Sequence, residues 1–201
     1  MKSYPSYTDS GILWINNIPS HWGLPKLKYH YSYKKGVNGQ KLTKEFIGNN
    51  PGNYPVYSGT TKKSGMLGKT NEFEFNFKFP VIFLSTVGSD TTVMSTKVLI
   101  HKFSLSQNCL IMIPNTDVNS IYINYFLGLH FKYLRDLLPV ILKEGHRSVG
   151  MIDLDTYEIV LPPESEQSQI VSFLDTKTQK IDDLIQKTEK KIKLLKEKRT
   201  S

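Results

Sequence analysis

The sequence predicts an α+β fold: a globular part with a mixed, mostly antiparallel sheet and helices, then one long C-terminal coiled-coil helix. Three observations predict it. Short β-branched and aromatic runs, punctuated by glycine, asparagine and proline, fill residues 1–160. A double proline, Pro162-Pro163, closes that stretch. Beyond it, residues 164–199 contain no glycine or proline and repeat apolar side chains on a seven-residue step. The length of 201 residues fits one domain with an appendage or two small domains, at roughly 100–200 residues per domain. The 39% hydrophobic content is enough for a packed core.

Within 1–160, Tyr54–Ser58, Phe79–Thr86, Thr92–Leu99 and Cys109–Ile113 are predicted strands. Asn49-Asn50-Pro51-Gly52 reads as a turn. Residues Ile121 to Leu138 are a predicted helix. Ile121, Tyr125, Leu129, Tyr133 and Leu137 fall on one stripe, with Phe126, Leu134 and Leu138 beside it; Asn119 or Ser120 supplies the cap and Pro139 the stop. Asp153 and Asp155 read as caps of a short helix. Residues 161–163, Leu-Pro-Pro, form a hinge, because proline cannot sit inside a helix and holds its predecessor extended.

The third part, 164–201, is a single helix from about Glu164 to Arg199. Acids at its start (Glu164, Glu166) and bases near its end (Lys196, Lys198, Arg199) suit the helix macrodipole. Val171, Leu174, Thr178, Ile181, Ile185, Thr188, Ile192 and Leu195 alternate steps of three and four, a coiled-coil seam. At 1.5 Å per residue the helix is on the order of 50 Å long. One amphipathic helix cannot hide such a stripe, so the seam calls for a partner helix, and the two threonines are expected to fix register. The alternative is packing on its own globular part.

Charge is concentrated. Between Trp22 and Thr70 there are nine lysines and one acid, Glu45, a net +8 equal to that of the whole chain. A basic segment favours a polyanion, usually nucleic acid, although a lysine-rich solvated surface is the plain alternative. The apolar runs are far shorter than the roughly 20 residues of a membrane span, and no secretory signal is visible, so no membrane partner and a cytoplasmic location are expected. A single cysteine, Cys109, excludes an internal disulfide framework.

Catalytic patterns fail one after another. Gly68-Lys69-Thr70 ends like a phosphate-binding loop, but position 63 is lysine where that loop needs glycine. His21, His30, His101, His130 and His146 are scattered and read as ordinary core or surface histidines, so no metal site is expected. No dinucleotide glycine motif, nucleophile elbow, methyltransferase motif or nuclease carboxylate cluster occurs. Three polar turns are suited to binding instead: Tyr57–Gly65, Val87–Thr92 and Lys143–Ser148. Glycine brings backbone close to phosphate, lysine and hydroxyls donate to it, and arginine reads guanine bidentately. Each is otherwise an ordinary exposed turn.

The layout resembles the specificity subunit of type I restriction-modification enzymes. Asp9-Ser10-Gly11-Ile12-Leu13-Trp14, Ile18-Pro19-Ser20-His21-Trp22 and Lys26-Leu27-Lys28 look like the family's opening, and Tyr54–Gly59 and Val87-Gly88-Ser89 like strands and turns of its target-recognition domain. Leu161-Pro162-Pro163-Glu164-Ser165-Glu166-Gln167, followed by Phe173-Leu174-Asp175 and Ile181-Asp182, looks like its spacer helix. The resemblance implies a non-catalytic reader of double-stranded DNA with no cofactor of its own. S-adenosylmethionine, ATP and Mg2+ would sit on methyltransferase and restriction subunits. Family members usually carry two recognition domains and two antiparallel spacer helices, so a half-length form, dimerising through its helix, is expected.

Under that reading Tyr57, Ser58, Thr60, Lys62, Lys63, Lys69, Ser89, His146 and Arg147 are the expected DNA contacts. A helix on the order of 50 Å spans roughly 15 base-pair steps, enough to hold two readers about one turn apart on a bipartite site. Two alternatives stand beside it: a coiled-coil protein adaptor without nucleic acid, and a truncated competitor of a full-length subunit.

Overall fold

The computed structural model describes residues 4–59, 65–88, 93–137, 147–148 and 151–200. The chain divides into two compact units, Met1–Pro162 and Pro163–Ser201.

In the first unit a small hairpin leads: β1 (Tyr7–Asp9) pairs antiparallel with β2 (Asn17–Pro19). A 3-10 turn, Leu27–Tyr29, precedes β3 (Tyr31–Lys35). Next come α1 (Lys44–Asn49), β4 (Pro51–Tyr57) and β5 (Met66–Thr70). Then follow β6 (Phe75–Ser85), β7 (Val87–Gly88), β8 (Thr96–Leu105) and β9 (Cys109–Pro114). The unit ends with α2 (Ser120–Leu137), β10 (Arg147–Ser148) and α3 (Met151–Thr156). Six strands form one sheet in the order β3-β9-β6-β8-β4-β5. Every neighbouring pair is antiparallel except β4 with β8, so the sheet is mixed.

The predicted strands exist with altered ends. β6 starts four residues before Phe79, and β8 starts at Thr96 and runs on to Leu105. The reason is a long β6–β8 ladder that continues past a bulge, from Leu84↔Thr96 to Phe75↔Phe103. Exposed Lys78, Phe79, Ile100 and His101 interrupt the apolar alternation there, and His101 adopts φ +71°. Asp153 and Asp155 lie inside α3, not at its cap.

The bulge lets the ladder curl. Phe75, Val81, Phe83, Leu99, Phe103, Leu105, Cys109 and Ile111 form one buried cluster inside the curl. Alternate residues Ile82, Leu84, Leu110 and Met112 are fully buried on the opposite face. There α2 packs on β6 and β8.

The inward face of α2 differs from the predicted stripe. Tyr122, Ile123, Phe126, Leu127, His130 and Phe131 are buried, while Leu129 is 56% exposed. The two stripes share the same three-four spacing, so periodicity alone does not choose between them. The buried one carries two phenylalanines, and the Tyr122 hydroxyl donates to the Val160 carbonyl at 2.8 Å. Asn119 is the cap: its side-chain oxygen accepts from the Ile121 and Tyr122 amides. The expected stop, Pro139, lies outside the described residues. Residues 157–161 run back along 23–27, with Leu27 N–H donating to Tyr157 and Ile159 N–H to Pro25.

The second unit is one helix, α4 (Glu164–Thr200), 37 residues long. The Pro163 carbonyl accepts from the Glu166 and Gln167 amides at its start. Along it Ile181, Ile185, Ile192 and Leu195 are 47–57% exposed, whereas Val171, the first residue of the predicted seam, is buried and Leu174 half-buried. The Thr178 and Thr188 hydroxyls bond back to the Leu174 and Leu184 carbonyls, so their polarity is satisfied within the helix. No helix among the described residues is long and apolar enough to cross a membrane.

Candidate nucleic-acid interface

The described ends of the three polar turns singled out in the sequence are brought to one place; residues 60–64, 89–92 and 143–146 between them lie outside the described residues. β4 ends at Tyr57, and the following loop closes where the Ser58 amide donates to the Gly65 carbonyl at 2.9 Å. Gly65 takes φ +77°, a left-handed conformation that suits glycine. On the near side of that loop, Gly59 lies so close to Ser85 that a Cβ there would collide with its Oγ. Ser85 in turn donates from Oγ to the Val87 carbonyl at 3.2 Å. β7, the start of the second turn, then pairs antiparallel with β10, the end of the third, through Arg147↔Gly88 and Ser148↔Val87.

Tyr57 is the floor of this junction. Its ring lies 6.4 Å from Phe83 and 6.1 Å from Phe103, and partial burial raises the phenol above its ordinary pKa. Lys97, at the start of β8, places its ammonium 4.6 Å from the Tyr57 ring centroid. That contact measures the curl. On the ladder Tyr57 is level with Leu105, and an extended strand from there to Lys97 spans about 26 Å. Only a sheet bent back on itself brings the two together. Cys109, below Gly59, is buried, which pushes its thiol up to about 11, so it serves packing and not thiolate chemistry.

Of the expected contacts, Tyr57 and Ser58 stand at the junction, and the Arg147 backbone joins it through β10. Thr60, Lys62, Lys63, Ser89 and His146 lie outside the described residues. Lys69 is separate: it is exposed on the outer strand β5, opposite Pro55, and no described contact ties it to the three turns. Lys97 is the residue that sequence reasoning missed. No local pattern marks it, because its partner Tyr57 is forty positions earlier and reaches it only through the curl.

Two histidines elsewhere are held by packing and hydrogen bonds. His130 is buried, accepts from Trp14 Nε1 at 3.1 Å and stacks on Phe126, and its burial lowers its pKa. His30 Nδ1 lies 2.8 Å from Thr116 Oγ1. Among the described residues no group of three potential metal ligands occurs.

Comparison with known proteins gives one answer. Residues 33–194 match the type I restriction modification DNA specificity domain. A type I specificity subunit of Mycoplasma pneumoniae is 32% identical over 137 residues, 68% of this chain and 35% of the relative. The type I restriction-modification S subunit from M. genitalium superposes with a TM-score of 0.62 at 20% identity, covering 82% of this chain and 41% of that one. A chain from a structure concerned with complex assembly and conformational transition of the type I R-M system gives 0.55 at 19%, covering 83% and 40%. The chain spans 35% to 63% of the length of the curated relatives it matches.

Proposed function

Because the chain belongs to the type I restriction modification DNA specificity domain family, we propose that it is a non-catalytic reader of double-stranded DNA. The observation that carries this is the meeting of the described ends of three polar turns beside Tyr57, with the Arg147 backbone paired to Gly88 and Lys97 against the Tyr57 ring. In this reading the lysines of the 58–65 loop take backbone phosphates, which fixes register without selecting sequence. Arg147, on the strand that closes the junction, reaches a base edge. Thr60, Ser89 and His146 complete the contacts, and Lys69 adds a more distant phosphate. The unit Met1–Pro162 is the recognition domain, and α4 is the spacer and dimerisation helix. Two copies clasped through the exposed part of the seam, from Ile181 to Leu195, present two readers to a bipartite site. The paired helices also dock the methyltransferase subunits, through which the restriction subunit joins.

Two substitutions separate the roles. Lys62→Ala weakens binding to all duplexes alike and lowers the salt slope by about one. Arg147→Ala relaxes preference at one base pair, worth about 1–3 kcal/mol of discrimination. The measurement is binding to a randomised duplex library at several salt concentrations, followed by methylation mapping in cells carrying the chain and its methyltransferase. A symmetric interrupted motif supports the dimeric reader. Salt-independent capture of a protein with no duplex retained favours the adaptor, and methyltransferase co-purification without methylation favours the competitor.

A further inference from the structure

We infer that Lys97 is the fixed phosphate anchor of the reader, a contact built by the curl of the sheet and not by a loop. This rests on the DNA-reading proposal above and names one chemical group within it. Four features of the site converge. The Lys97 side chain is half-buried, so holding its charge there costs solvation that an anion would restore. Among the described residues no carboxylate lies within ion-pair distance of it; its one described electrostatic neighbour is the face of Tyr57, at 4.6 Å. A cation on an aromatic face keeps its outer N–H donors free for a further acceptor. Finally, space beside the ammonium is kept open by glycine: a Cβ on Gly65 would stand 3.1 Å from Nζ.

The burial that lowers the Lys97 pKa acts in the same direction, since an arriving phosphate would relieve it. A free inorganic anion would satisfy the ammonium equally well. The placement favours a backbone phosphate, because the ammonium stands against Tyr57 and Gly65, the two ends of the first turn, and Gly59 in that turn meets Ser85 and Val87 where the second turn starts. A lysine anchored on a strand also differs from Lys62 and Lys63. Its ammonium is held in place before DNA arrives, so less side-chain entropy is lost on contact.

The test uses the full chain, a mixed-sequence 30-base-pair duplex and inorganic phosphate as the competing probe. Lys97→Gln is expected to cut duplex affinity about tenfold at low salt and to lower the salt slope by about one, equally for all sequences. Lys97→Arg keeps the slope. In the wild type, acetylation of Lys97 followed by mass spectrometry is suppressed by the duplex and not by millimolar phosphate. An unchanged slope in Lys97→Gln, with a steep slope in the wild type, overturns the anchor and leaves DNA reading intact. No salt-dependent retention of duplex by the wild type overturns both. Protection by phosphate alone, at the same concentration of charge, overturns the duplex assignment in favour of a free-anion site. If circular dichroism shows Lys97→Gln to be misfolded, the arginine variant and the acetylation pattern decide: Lys97 acetylated equally with and without duplex sinks the idea.

Discussion

In β6 the run Val81–Ser85 is buried at every position, whereas along α4 Ile181, Ile185, Ile192 and Leu195 stay 47–57% exposed. The residue types are alike; the difference is what each element can fold against. β6 lies between β8 and β9, with the curl on one face and α2 on the other, so both faces are covered. Along residues 181–195 of α4 the apolar stripe has no covering layer among the described residues, and a partner helix is what would dry it. The same kind of apolar content therefore makes a core in one unit and an exposed stripe in the other.

The largest expected effect tests the core half of that contrast. Phe83 is 2% exposed, belongs to the cluster inside the curl and touches the Tyr57 ring. Phe83→Ala removes the contact that closes the curl and is expected to cost about 3–5 kcal/mol in urea unfolding. A loss below about 1 kcal/mol would mean that the curl is not held by this cluster. Affinity for DNA should fall as well, since Tyr57 loses its backing.

The interface half is tested next. Ile185→Lys places a charge in the seam of each copy and is expected to weaken self-association by at least about 3 kcal/mol, over a hundredfold in Kd. The check is sedimentation across a concentration series. Urea unfolding of the first unit should be unchanged, because Ile185 belongs to the other. A wild type that remains monomeric at high micromolar concentration would remove the seam as a dimer interface.

The same contrast sets how much was legible in the sequence. The spacing of Val171, Leu174, Ile181, Ile185, Ile192 and Leu195 gave α4 directly, because a helix is a local structure and its period is written in consecutive residues. The mixed α+β class and the strand at Cys109 were legible for the same reason. The short elements were not: β1, β2, β3, β5 and α1 have too few apolar residues to set a period. The curl was invisible, since it depends on a bulge at Phe77–Val81 and a positive φ at His101, and with it went Lys97. Val87-Gly88 and Arg147-Ser148, read as parts of polar turns, are short paired strands, and their meeting was not legible because the Arg147↔Gly88 pairing joins positions 59 apart. Composition located basic charge as a segment but could not say that Lys69 would stand exposed on the outer strand β5, with no described contact to the junction.

The smallest expected effect compares how the two long helices begin. α4 starts directly after two prolines, with Glu164 and Glu166 in its first turn facing the positive end of its dipole. α2 has no acid in its first turn and depends on Asn119, whose side chain accepts from the Ile121 and Tyr122 amides at 3.0 and 3.1 Å. Asn119→Ala leaves those two amides without that acceptor and is expected to lower the stability of the first unit by about 1 kcal/mol. Asn119→Asp should restore most of it, because a carboxylate accepts the same bonds and adds a favourable charge at the helix start. Urea unfolding of the three proteins side by side separates the cases. If alanine and aspartate variants melt together at the wild-type midpoint, α2 is held entirely by its buried face, and the difference between the two helices lies only in what covers them.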